Sequence, residues 1–148
     1  MPPSGRPGLR LRAEDADDIS VISACLQDAL VSVRDLAYDR EARNFVVMAN
    51  RFRWESSGRP FERTLCALVF EAVDCVAYRG FRRSEEDRIL SLLAIRSTSG
   101  ADGTRIDLEF AGHAAVRLAV AGVSARFRDL GEPWPTRWQP GHELDGRT

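Results

Sequence analysis

The sequence predicts an α+β fold: an N-terminal amphipathic helix packed on a curved, mainly antiparallel sheet of about six or seven strands, closed in part as a barrel or roll. Three observations carry this. Apolar residues between Ile19 and Leu30 recur at helical spacing. After residue 30 the apolar period shifts to two and stays there. The alternating runs are joined by short glycine-, asparagine- and aspartate-bearing segments of the kind that turn a chain back on itself.

The 148 residues fit a single domain with a core spanning about 9–134, a loose arm at 1–8 rich in proline and glycine, and a tail at 135–148. Leu9 and Leu11 alternate with arginine and can begin a short strand. Asp15 is the expected N-cap of the helix, with Glu14, Asp17 and Asp18 crowding a turn whose dipole favours acids. Ile19, Ile22, Leu26, Ala29 and Leu30 then share a face, and Val21 and Cys25 widen it to roughly half the circumference. Gln27 falls on the polar side and Asp28 on the border of that arc.

Val31 and Val33 open the alternating part, and "DREARN" reads as a turn. In "NFVVMANRFRW", Val46, Met48, Asn50, Phe52 and Trp54 share the apolar face, which leaves Arg51 and Arg53 on the opposite one. Leu65 to Phe70 is apolar throughout, as a strand covered on both sides is. It is expected to bend near Ala72 and continue to Tyr78. "RRSEEDR" is a charged connection, "ILSLLAI" a strand and "RSTSGADGT" a loop. The runs "RIDLEF", "AAVRLAV" and "GVSARFRDL" predict an antiparallel meander, with Asp107 and Glu109 facing Arg117 across its first hairpin. Trp134 is expected to fold back onto the domain.

Composition narrows function by exclusion. The net charge is −1, so no global field draws the chain to nucleic acid or an anionic membrane. All 21 basic residues are arginine, which rules out Schiff-base or P-loop lysine chemistry. The opening residues carry no apolar signal core, no segment is long enough to cross a bilayer, and the three cysteines are odd in number, so a cytoplasmic location is expected. CxxC, HExxH, GxSxG, GxGxxG and Walker patterns are absent. His113 reads as a turn residue, and Cys75, beside Asp74 and apolar neighbours, reads as a buried structural thiol. No cofactor and no metal is expected.

The candidate binding residues are Asp28, Asn50, Arg51, Arg53 and Tyr78. Arginines interleaved with Phe52, Trp54, Phe61 and Tyr78 could stack bases and hold phosphates, yet Glu55, Glu62, Glu85, Glu86 and Asp87 cancel most of that charge, so nucleic acid is disfavoured as a partner. Asn50, on the apolar face, needs a buried partner, supplied by Asp28 at the helix end or by an arginine from a neighbouring strand.

Taken in order, "DADDISVISACLQDAL", "NRFRWE", "LSLLAI" and "IDLEFAGHAAVRLAVAGVSARFRDLGEPW" resemble a family of small bacterial proteins of about 150 residues known only as a domain of unknown function. The resemblance spans about Leu9 to Trp134 and implies a stand-alone bacterial domain. It implies no activity, ligand or site residue. The expected function is that of a non-enzymatic binding or protein-interaction module, with an unknown protein or small ligand as partner and homodimerisation through a sheet edge open. The alternatives are a small ligand-binding domain or enzyme working through arginine and carboxylate groups, and an RNA-binding module.

Overall fold

The structure, a computed structural model, describes residues 8–55 and 61–136. Strand β1 (Arg10–Ala13) precedes helix α1 (Ala16–Cys25); β2 (Leu30–Ser32), β3 (Leu36–Asp39) and β4 (Asn44–Phe52) follow. After the gap come β5 (Phe61–Phe70), β6 (Val73–Arg79), β7 (Ile89–Gly100), β8 (Gly103–Phe110), β9 (Ala115–Val120) and β10 (Ala125–Thr136). Every pairing among the described strands is antiparallel. The order across the sheet is β1-β10-β5-β4-β2-β7-β8-β9-β6, with β3 attached to β4 off this path.

The α+β class with one helix on an antiparallel sheet therefore holds, while three finer expectations change. Ten described strands replace six or seven, in part because the short β3 carries too few residues to show a period. The path ends at β1 and β6, which do not pair, so the sheet is open rather than a partly closed barrel. The helix is the second element, after β1, and stops at Cys25 instead of running to Leu30. Asp15 does cap it, accepting from the Asp18 amide at 2.8 Å. Leu26 and Ala29 are buried, but in the turn beyond the helix, where Asp28 sits at φ +63° and its amide donates to the Leu92 carbonyl. Val21 is exposed, so the buried stripe is the narrow one of Ile19 and Ile22, packed toward β7 and β1.

Two bends divide the sheet. Ala72, at φ +56°, breaks β5 from β6 where the sequence places the bend. Opposite it, residues 121–124 separate β9 from β10. Across these bends β5 pairs with β10 and β6 with β9. The expected three-run meander is thus broken: β8 and β9 are neighbours, but β10 leaves to lie between β5 and β1. Within the β8–β9 hairpin, Asp107 lies opposite Arg117 and accepts from its Nε at 2.7 Å. Glu109 pairs with Arg96 instead. The "RSTSGADGT" segment is no loop: Gly100 lies opposite Gly103, and only Ala101 and Asp102 turn the chain. Trp134 is part of β10, opposite Arg63 and partly exposed, and β10 reaches Thr136, two residues into the expected tail. Most of the expected arm and the rest of the tail lie outside the described residues.

Both halves of the sheet share one core of Phe45, Phe70, Phe127, Leu68, Ile106, Leu108 and Leu118 with the two helix isoleucines. Each large apolar side chain fully removed from water contributes about 1.5–3 kcal/mol. One glycine is required by a close approach. Gly80 has φ +83°, and a Cβ there would lie 2.6 Å from the His113 carbonyl oxygen and 2.7 Å from the Ala114 Cα. Gly80→Ala is expected to lose at least about 1–2 kcal/mol from the left-handed backbone alone, read as a lower urea midpoint. An unchanged midpoint would contradict this packing of the β6–β7 connection against the β8–β9 turn.

Candidate functional site

Strand β4 carries Asn50 and Arg51, with Arg53 just past its end, and up to Arg51 its faces are the reverse of the expected ones. Phe45, Val47, Ala49 and Arg51 point into the core, while Val46, Met48 and Asn50 lie on the half-buried outer side. Asn50 is therefore not a core amide. The polar group of β4 in the core is the Arg51 guanidinium, with no exposed surface.

The burial of Arg51 is possible because all five of its N–H donors are used. Asp129 accepts from Nε and Nη2, both at 2.8 Å. Glu55 accepts from Nη1 at 3.0 Å and Nη2 at 2.7 Å, and the Phe52 carbonyl accepts from Nη1 at 3.3 Å. Burial works against the charge, but hydrogen bonds to Asp129 and then Glu55 outweigh it and hold the guanidinium above its ordinary value. The Asp129 side chain is 3% exposed. It also accepts from the Leu9 amide at 2.9 Å, which ties the start of β1 to the same network. The register explains the meeting: Arg51 lies opposite Thr64 and Asp129 opposite Cys66, so the two inward side chains reach each other diagonally across β5. The guanidinium also lies 5.7 Å from the centroid of the buried Phe127 ring. Beside this group, burial pushes the Cys66 thiol up to about 12.

Arg53 is buried as well, with Nη1 bonded to Glu62 at 2.5 Å and Nε to Glu55 at 3.4 Å. Phe52 packs on Trp54 and Phe61. The arginine–aromatic cluster of the sequence is thus a saturated ion-paired layer, with no donor of Arg51 left for a ligand. Asn50 accepts from Arg63 Nε at 2.5 Å, which answers its need for an arginine from a neighbouring strand. Burial lowers the Arg63 pKa, and Asp28 opposes that shift, so the Asp28 carboxylate acts on the same group. Just beyond the ends of α1 and β4, Trp54 Nε1 donates to the Gln27 carbonyl at 3.2 Å. Tyr78 is not part of this assembly. It lies on β6, edge-on to Phe81, with the Arg83 guanidinium 5.1 Å from its ring centroid. Cys75 is exposed on that strand rather than buried. No group of three or more His, Cys, Asp or Glu side chains suited to a metal ion occurs among the described residues.

What sequence reading missed is the outer face of β1, β10 and β5. Arg10 lies directly opposite Arg128, and Arg12 opposite Arg126. Like charges facing each other across a strand pair destabilise it. The second pair is relieved, since Glu71 accepts from Arg126 at 3.0 Å and from Arg12 at 3.3 Å. The first pair has no carboxylate partner among the described residues. The four arginines border a cleft of about 540 Å³ floored by Ala67 and Val69. The alternation "LRLR" and "ARFRD" carried the signal: both strands put arginine outward, and only knowing that β1 and β10 are neighbours brings the two rows together.

The architecture defines a class first: among the described residues, an open, wholly antiparallel sheet with a single short α-helix, carrying an arginine-bordered outer face above a buried ion-pair network. Residues 9–142 match the family described as "Protein of unknown function (DUF2948)", and the chain belongs to that family. No curated protein matches the chain. No solved structure matches it either. None of its described helices is long and apolar enough to cross a membrane.

Proposed function

We propose that this chain is a non-enzymatic interaction module that docks a carboxylate-bearing surface of a protein partner on the outer face of β1, β10 and β5. The observation that carries the reading is the Arg10–Arg128 pair, opposed across β1 and β10 with no carboxylate partner among the described residues. A fold that keeps two like charges opposed at the surface gains when a bound anion bridges them, and the arginine fork suits a carboxylate. The half-buried Ala67 and Val69 floor supplies the apolar centre that a polar-rimmed interface needs.

RNA is the weaker reading. The aromatic side chain bordering this cleft, Phe127, is turned into the core and 1% exposed, so no ring is offered to a base. Of the rings that sequence reading placed beside arginines, Phe52, Trp54 and Phe61 sit at the buried Arg51–Glu55 layer, and Tyr78 lies away from this cleft on β6.

The test is a titration with labelled polyglutamate and, separately, labelled polyuridylate at about 50 mM salt. Polyglutamate is expected to bind and to weaken at least tenfold in an Arg10→Glu/Arg128→Glu variant. Binding of polyuridylate alone, or polyglutamate binding untouched by the variant, would replace this reading.

A further inference from the structure

The open seam of the sheet is a second surface, on a different part of the fold. Strand β6 pairs only with β9, and β3 only with β4, so each has an edge without a strand partner among the described residues. The two edges meet at one point. The Tyr38 hydroxyl donates to the Val73 carbonyl at 2.7 Å, and the Val73 amide donates to the Arg43 carbonyl at 2.8 Å. An ion pair between Arg43 and Asp74 reinforces the stitch. Beyond it no backbone hydrogen bond joins β3 to β6 among the described residues. A cleft of about 470 Å³ opens there, bordered by Tyr38, Arg40, Arg43, Cys75, Tyr78 and Arg83.

Three features of this cleft point to the same occupant. Its wall along β6 is a strand edge seven residues long, whose outward N–H and C=O groups are a template for another strand. Arg40 and Arg83 have no carboxylate partner among the described residues, and Asp74, the acid lining the cleft, is already held by Arg43. Val76 and Tyr78 are half-buried at the inner side of the edge and offer an apolar strip for alternate side chains. We infer that the β3–β6 seam binds an extended, carboxylate-rich segment of another polypeptide, which adds as a strand to the free edge of β6 while Arg40 and Arg83 take its acidic side chains.

A strand pairing of this kind needs backbone donors in the peptide as well as charge, and that gives the test its controls. The probe is a fluorescein-labelled peptide of alternating glutamate and valine, eight residues long, titrated against the full chain. One control has its central valines replaced by proline, which keeps the charge and removes the ladder donors. Another replaces glutamate with arginine. Binding of the first peptide alone is expected, with amide exchange slowed in β6 and at least a tenfold weaker affinity in an Arg40→Glu/Arg83→Glu variant. These titrations are run in the Arg10→Glu/Arg128→Glu background, which removes carboxylate binding at the outer face, so failure there and failure at the seam are separately visible. No binding, equal binding of the proline peptide, or no slowing of β6 exchange would each overturn the inference. Circular dichroism of both variants checks that they fold, and all four arginines replaced are at the surface.

Discussion

Asp129→Ala is expected to lower the stability of this domain by about 3–5 kcal/mol, because it removes the buried carboxylate of the wholly buried Arg51 and leaves its charge to the partly exposed Glu55 alone. The loss combines several parts. Two charge-assisted hydrogen bonds to Arg51 disappear, and so does the bond from the Leu9 amide that anchors β1. Glu55 remains, but its side chain is one-third exposed and holds the outer edge of the guanidinium only. The measurement is urea denaturation at neutral pH. An Arg51→Met/Asp129→Leu double variant is expected to recover most of the loss, since apolar pairs of similar volume replace buried ion pairs at little net change. If the double variant were as unstable as the single one, shape rather than charge would govern the site. The same network sets a pH dependence. Burial raises the Glu55 pKa, but its hydrogen bonds with Arg51 and the charges of Arg51 and Arg53 outweigh this and hold it below the ordinary carboxylate value. A carboxyl whose folded pKa is depressed adds stability above its unfolded pKa and loses that contribution as pH falls through the folded one. Stability is therefore expected to fall as pH drops from the ordinary carboxylate range toward the depressed Glu55 pKa, and a Glu55→Gln variant should flatten that limb.

How far the sequence could be read depended on which interactions were local. The helix start was legible because Asp15 and its acceptor role lie within one turn of each other. The bend at Ala72, the β8–β9 hairpin and the Asp107–Arg117 pair were legible for the same reason: their partners are near in sequence or in adjacent runs. The helix end was not. Leu26 and Ala29 keep helical spacing and are buried, but tertiary packing buries them in a turn stitched to Leu92, and periodicity cannot tell one burial from the other. The candidate site was legible only as a list of residues. Arg51 and Arg53 belong together in one network, Asn50 and Asp28 act on Arg63, and Tyr78 stands apart on β6. The arginine face was invisible because its rows come from the two ends of the described chain, at residues 10–12 and 126–128.

The face of β4 is the point on which sequence and structure divide most sharply, and a pair of truncations decides it. Both faces of "NFVVMANRF" carry apolar residues, so hydrophobicity alone favours the side with Val46, Met48 and Phe52, and arginine is assigned outward by default. The decisive partner, Asp129, lies 78 residues from Arg51. Phe45 is fully buried and stands opposite Phe70 of β5, whereas Met48 is on the half-buried outer side opposite Ala67. Phe45→Ala is expected to lose about 3–5 kcal/mol through a cavity that the surrounding strands cannot close. Met48→Ala is expected to lose less than about 1 kcal/mol. For a chain of this size the first corresponds to a fall in Tm on the order of 10 °C and the second to a few degrees at most. Were Met48→Ala the more damaging of the two, β4 would have to be turned over. Arg51 would then leave the core, the Asp129 carboxylate would lose the charge that permits its burial, and β10 would no longer be fixed in the register that sets Arg128 against Arg10.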